Sequence, residues 1–250
     1  MTRMPLAPYE GGRGSTTLPF QVVTTALKGL TGILCRVNDA QLAQVPDRGP
    51  LILIINHVNF LEAPVVFPRL QPRPMTGFAK VETWDNPALR LLADMWDAIP
   101  IQRGEADVTA MRRALAALEA GYILIVAPEG TRSGDGRLQR GLPGTAFLAL
   151  RSGAPLLPLV YHGGEQFWDN LHRLRRTDFH IVVGQPFYLS AEGIGVNGEV
   201  RQQMADEIMY QMAALLPPAY RGMYSDLSAA TETYLRFPAS VESNLWRAQD

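Results

Sequence analysis

One cysteine, Cys35, in 250 residues leaves no material for a disulfide scaffold or for a cysteine-rich zinc or iron–sulfur site. So little cysteine fits a reducing compartment. Charge of one sign is also missing. Twenty-three Lys and Arg stand against 24 Asp and Glu, a net −1, so no global basic field exists for non-specific nucleic-acid binding. No G-x-S-x-G, P-loop or H-E-x-x-H occurs, and serine-hydrolase, nucleoside-triphosphatase and zincin mechanisms lack their usual anchors. The histidines outside position 57 (His162, His172 and His180) have no ligand spacing among them, so no metal site is expected.

Long apolar runs are scarce as well. The first fifteen residues are rich in Gly, Pro and Arg, do not read as a secretory signal, and are expected to form a loose arm. Residues 16–35 carry one charge, Lys28, but also five threonines, too polar for a transmembrane span. Phe20, Val23, Leu27, Leu30 and Leu34 form one helical stripe there. That stripe suits either a helix packed on the core or one lying in a membrane interface.

What is present is enough for a full core: 47% hydrophobic and 19% charged residues in a length suited to one large domain. Leu51-Ile-Leu-Ile-Ile55 and Tyr122-Ile-Leu-Ile-Val-Ala127 are unbroken apolar runs of the kind buried on both faces of a parallel sheet. Leu156–Tyr161 and Phe179–Val183 are further strands. Helices are expected over about 107–120, 145–151 and 199–216, the last ended by Pro217-Pro218. Alternating strands and helices mean βαβ units, hence an α/β fold with a mostly parallel central sheet covered by helices and an amphipathic N-terminal helix. The expected divisions are an arm over 1–15, that helix over 16–37, the main domain over 38–221, and a surface-hugging tail over 222–250. Gly193-Ile-Gly-Val-Asn-Gly198 matches a dinucleotide fingerprint but lacks the preceding strand, and reads as a loop.

Two strand ends carry chemistry. After Ile55 comes Asn56-His57-Val-Asn-Phe-Leu-Glu62, an imidazole with a carboxylate five residues on. In such a pair the acid fixes the tautomer and steadies the imidazolium formed on proton abstraction. After the second run comes Pro128-Glu-Gly-Thr-Arg-Ser133, a tight turn offering backbone N–H groups, hydroxyls and a guanidinium, the parts of a phosphate cradle. Arg103 and Lys80 could add cations, and the Pro-bracketed strand Ala154–Val160 would shape a pocket wall.

In this order the blocks resemble the glycerolipid acyltransferase family, whose best-known members are the lysophosphatidic acid acyltransferases. Its N-H-x4-D motif matches Asn56-His57 with Glu62 in the acid position. Its second, an apolar run ending in Arg, matches Ile99–Arg103. Its F-P-E-G-T-R-S matches Ala127–Ser133 with Ala for Phe, and its apolar P-x-x-P strand matches Pro155–Pro158.

The resemblance implies transfer of a fatty acyl group from acyl-CoA or acyl carrier protein, without cofactor or metal, to a lysophospholipid hydroxyl, foremost 1-acylglycerol 3-phosphate. His57 would be the general base and Glu62 its orienter. Arg103, Glu129, Gly130, Thr131 and Arg132 would hold the acceptor, assisted by Lys80. Peripheral attachment at the cytoplasmic face of a membrane is expected. The extra methylene of Glu62 leaves two outcomes open, a compensating loop or a weaker pair. Asn59 and Phe60 also depart from the family loop, which keeps another acceptor (a lyso-aminolipid or glycolipid) and a catalytically weak lipid-binding member as alternatives.

Overall fold

In the computed structural model residues 17–102, 104 and 107–247 are described; the arm over 1–15 and Arg103 lie outside them. The described chain opens with α1 (Leu18–Leu34), with Pro19 in its first turn, where a missing N–H costs nothing. Phe20, Val23, Leu27 and Leu34 turn inward as the stripe requires, but Leu30 does not. Thr31 is buried in its place, donating to the Leu27 carbonyl at 2.8 Å, and Leu30 is exposed. α1 runs directly into an edge strand, β1 (Cys35–Asn38).

Then follow β2 (Leu51–Ile55), α2 (Glu62–Leu70), β3 (Met75–Lys80), α3 (Pro87–Met95), β4 (Ile99–Ile101), α4 (Val108–Glu119), β5 (Ile123–Val126) and α5 (Gly144–Ser152). The second half holds β6 (Leu156–His162), α6 (Phe167–His172), β7 (Thr177–Val183), β8 (Tyr188–Leu189), α7 (Gly198–Ala213), β9 (Leu235–Arg236) and α8 (Asn244–Arg247). Local signals set the boundaries. The side chains of Asn86, Asp107 and Asn197 accept backbone N–H groups at the starts of α3, α4 and α7, and Gly153, with φ of 68°, ends α5. The glycine-rich 193–198 segment is a loop leading into α7, as expected.

Seven strands form one sheet in the order β1-β7-β6-β2-β5-β3-β4, parallel throughout except where β6 meets β7. β2 lies at the centre with all five residues buried. Ile52 and Ile54 join the core under α4, α5 and α7, while Leu51, Leu53 and Ile55 join the core on the α2 face. Both faces are covered, which is why this strand shows no apolar–polar alternation.

The 222–247 segment does more than hug the surface. Tyr224, Tyr234 and Leu235 enter the core, and β9 pairs with β8. Glu207 of α7 accepts from Thr231, Thr233 and Tyr234. Among the described residues no helix is long and apolar enough to cross a membrane.

Candidate active site

β2 and β5 are parallel neighbours with Ile54 opposite Val126. Their C-terminal ends therefore deliver residues 56–62 and 127–133 to the same edge of the sheet, where loops and helix N-termini of α/β folds collect reactive groups. The junction after β2 is fixed from below. Asn56 exchanges hydrogen bonds with the backbone of Tyr161, its Nδ2 donating to the carbonyl at 2.8 Å and its Oδ1 accepting the N–H at 2.9 Å. The buried Tyr161 hydroxyl donates to the Asn56 carbonyl.

His57 follows directly. Its Nδ1 lies 3.1 Å from Glu62 Oε2. A carboxylate there accepts an Nδ1–H, which leaves the Nε2 lone pair for the cavity. Glu62, 3% exposed, is the first residue of α2. Its other oxygen, Oε1, accepts the N–H groups of Val58 at 3.0 Å and Asn59 at 2.6 Å. Of the two outcomes open for the longer acid, the geometry is that of a closed pair: the carboxylate spans the 58–59 turn and still meets the imidazole.

Glu129 joins the two loops. Its Oε1 accepts the His57 backbone N–H at 3.0 Å and its Oε2 that of Gln139 at 2.9 Å. Further rungs run from Ser133 N–H to the His57 carbonyl at 2.8 Å and from Gly134 N–H to Val58 at 3.0 Å. Burial pushes the Glu129 carboxyl up to about 7, against the opposing pull of its two N–H donors. A raised carboxyl pKa makes the folded state bind its proton more tightly. Its contribution to stability is full below about pH 4.5 and is lost as pH rises through 7. That loss amounts to roughly 3 kcal/mol. In Glu129→Gln this pH dependence should vanish, so thermal melts from pH 5 to 8 should show a flatter profile than wild type. An unchanged slope would assign it to other groups.

Gly130 sits at φ of 67°, in the left-handed region that favours glycine, and a Cβ on it would also displace the tip of the exposed Leu142 side chain. Arg132 is exposed at the mouth, its Nε 3.4 Å from His57 Nε2. His57, Glu62, Gly130 and Arg132 all line one cavity of about 370 Å³. Its body is apolar, with Phe67, Phe78, Ile101, Met111, Ile125 and Leu148.

The other expected residues are placed differently. Glu129, expected to hold the acceptor, is instead buried with both oxygens on backbone N–H groups, while Thr131 and Lys80 are exposed, Lys80 at the end of β3, and none of the three lines the cavity. Arg103 lies outside the described residues, although Gln102 and Gly104 line the cavity. The Pro-bracketed strand is not a pocket wall. It is β6, buried beside β2, and none of its residues lines the cavity. Sequence reasoning missed Tyr161 and the backbone of Gln139, because neither residue type signals a role without its partner. The apolar lining was also missed, being indistinguishable from core in a sequence.

The profile of the family described as Acyltransferase matches residues 36–162, a span holding the His57 loop, the Glu129–Ser133 turn and β6. A 1-acyl-sn-glycerol-3-phosphate acyltransferase of Limnanthes alba is 37% identical over 120 residues, covering 47% of this chain and 42% of that protein. One of Pseudomonas aeruginosa is 25% identical over 115 residues, covering 46% and 44%. The chain thus spans under half the length of these relatives. The crystal structure of the 1-acyl-sn-glycerophosphate acyltransferase PlsC from Thermotoga maritima superposes with a TM-score of 0.55 at 20% identity, covering 76% of each chain, a likeness of fold. With the family profile matched over half its length, and that span carrying the imidazole, the acid and the glycine turn, this chain belongs to the acyltransferase family.

Proposed function

We propose that the protein is an O-acyltransferase that moves a fatty acyl group from a thioester of coenzyme A or acyl carrier protein to the free hydroxyl of 1-acylglycerol 3-phosphate, giving phosphatidic acid. One observation carries this reading: His57, locked to Glu62 on one nitrogen, turns the other, which Arg132 covers, toward a cavity that both residues line. The names of the relatives supply the acceptor.

The acceptor hydroxyl gives its proton to His57 Nε2 as its oxygen attacks the thioester carbonyl. The imidazolium is steadied by Glu62. Collapse of the tetrahedral adduct forms the ester, breaks the C–S bond and expels the thiolate, which takes the proton back from His57. A thiolate leaves easily, so no covalent enzyme intermediate is needed. The apolar body of the cavity suits an acyl chain, and Arg132 suits the phosphate, to which a guanidinium can donate two parallel hydrogen bonds. In moving to the phosphate, Arg132 would uncover Nε2.

Substrate and product are lipids, and the outward face of α1 shows Leu18, Val22 and Ile33 to solvent. We assign that face to the bilayer, as peripheral attachment. The test is release of free thiol by purified protein given acyl-CoA and a panel of lysolipids. Turnover should be highest with 1-acylglycerol 3-phosphate. Higher turnover with a lyso-aminolipid would change the acceptor, and no turnover with any would remove the reading.

A further inference from the structure

A second hollow opens on the edge of the sheet that carries His57. β2 runs parallel to β6, and β6 ends at His162. There His162 lies opposite His180 of the antiparallel β7, and Arg36 of β1 lies opposite Asp178. The hollow, about 770 Å³, is lined among others by Arg36, His162, Arg175, Arg176, His180 and Tyr220. α6 borders both spaces. Phe167 and Trp168 pack on Phe60 of the catalytic cavity, while Asn170 faces the hollow.

The hollow is built for an anion. Three guanidiniums meet a single carboxylate, Asp178, which is held by Arg36 at 3.4 Å. Beside them His162 and His180 stack at 4.8 Å, and burial and the neighbouring His180 lower the His162 pKa, so that ring offers a hydrogen bond rather than charge. Glu165 nearby is engaged by the Tyr220 hydroxyl at 2.7 Å and the Gly163 N–H at 3.0 Å. Arg176 donates to the Gly32 and Cys35 carbonyls at the end of α1. The Arg175 side chain makes no hydrogen bond or ion pair among the described residues.

Leu174, on the rim, is unusual in two ways. It is 95% exposed, and its φ of 53° lies in the left-handed region where Asn or Gly is the natural occupant. A leucine there adds nothing to the core and costs backbone strain. It stands between the exposed Arg173 and Arg175, and Trp168 is 55% exposed close by in sequence. An apolar tip set among arginines with an aromatic neighbour is the pattern of a segment that meets an anionic lipid surface.

We propose that this hollow is a second phosphate site, filled by the headgroup of an anionic phospholipid in the bilayer, with Leu174 entering the acyl layer beside it. The inference rests on the reading of the protein as a lipid-modifying enzyme. It adds a contact beyond α1 that holds the His57 edge of the sheet against the membrane.

The full chain is floated with vesicles of phosphatidylcholine, alone or mixed with phosphatidylglycerol. Leu174→Asn suits the left-handed backbone and Arg175→Glu breaks no contact, so both should melt like wild type and turn over a water-soluble short-chain acceptor normally. Wild type should prefer the phosphatidylglycerol vesicles. Arg175→Glu should lower its bound-to-free ratio about tenfold, and Leu174→Asn severalfold. Equal binding to both vesicle types, or wild-type binding by both variants, would overturn the proposal. So would full release from the vesicles by coenzyme A, which would make the soluble donor the occupant. Failure of the short-chain assay in wild type would count against the enzymatic reading and leave the vesicle result intact.

Discussion

Replacing His57 with alanine should lower kcat by about 10²–10⁴-fold, the usual contribution of a positioned general base. The fold should survive it. The imidazole's contacts are Glu62 and Arg132, and Glu62 keeps the Val58 and Asn59 N–H groups when the ring is gone. His57→Gln sharpens the test. An amide can still donate to Glu62 but offers no basic nitrogen, so its turnover should be as low as that of alanine. Thiol release at saturating substrate reads the result, with melting temperature as the control. Turnover within a few-fold of wild type in both variants would place the base elsewhere.

Glu62→Asp should cost roughly 10–10² in kcat, although aspartate is the acid of the family motif that this loop resembles. The shortened arm withdraws the carboxylate by about 1.5 Å. Glu62 uses its full length, with Oε1 on the 58–59 turn and Oε2 on the ring. An aspartate at this helix start reaches one or the other, and a misplacement of that size can cost about 10²-fold. Glu62→Ala should be worse in a second way. It leaves the Val58 and Asn59 N–H groups without an acceptor, at about 1–3 kcal/mol for the buried Val58 N–H and less for the half-buried Asn59 N–H. The aspartate variant should therefore lose rate with a near-normal melting temperature, and the alanine variant should lose both. Wild-type kcat in the aspartate variant would mean that the loop shifts freely and that the length of Glu62 is incidental.

Much of this was legible in the sequence where local chemistry and tertiary role coincide. The unbroken run 51–55 announced a strand buried on both faces, and β2 is the sheet's central strand. The helix expected over about 107–120 is α4, though the structure buries its alanines Ala110, Ala114 and Ala117 with Leu118 and leaves Val108 58% exposed. Other elements escaped because their signals are weak. Met75–Lys80 has a glycine in its middle, Ile99–Ile101 is three residues with a proline, and Cys35–Asn38 is an edge strand. α3 was findable, since Asn86-Pro87 is a capping residue followed by a proline in the first turn, a recognised start signal.

In the site, the His57 and Glu129–Arg132 motifs announced themselves by residue type, and the fold brings His57, Glu62, Gly130 and Arg132 to one cavity. Lys80 and Thr131 share their neighbourhood in sequence but not that lining, because a motif lists neighbours along the chain without saying which side chain turns inward. The distribution of Glu62's two oxygens lay beyond sequence reasoning altogether, since it depends on turn geometry of a few tenths of an ångström.

The central claim is that one acceptor molecule is held by Arg132 and deprotonated by His57. It is tested most directly by comparing wild type and Arg132→Ala on 1-acylglycerol 3-phosphate and on the same lipid without its phosphate. Arg132 is exposed at the mouth and has no role in the core, so the variant should fold normally. The account predicts that kcat/KM falls by about 10-fold or more on the phosphate-bearing acceptor, the loss of a charge-assisted pair, and stays within a few-fold on the other. An equal loss on both acceptors, or no loss on either, would contradict it.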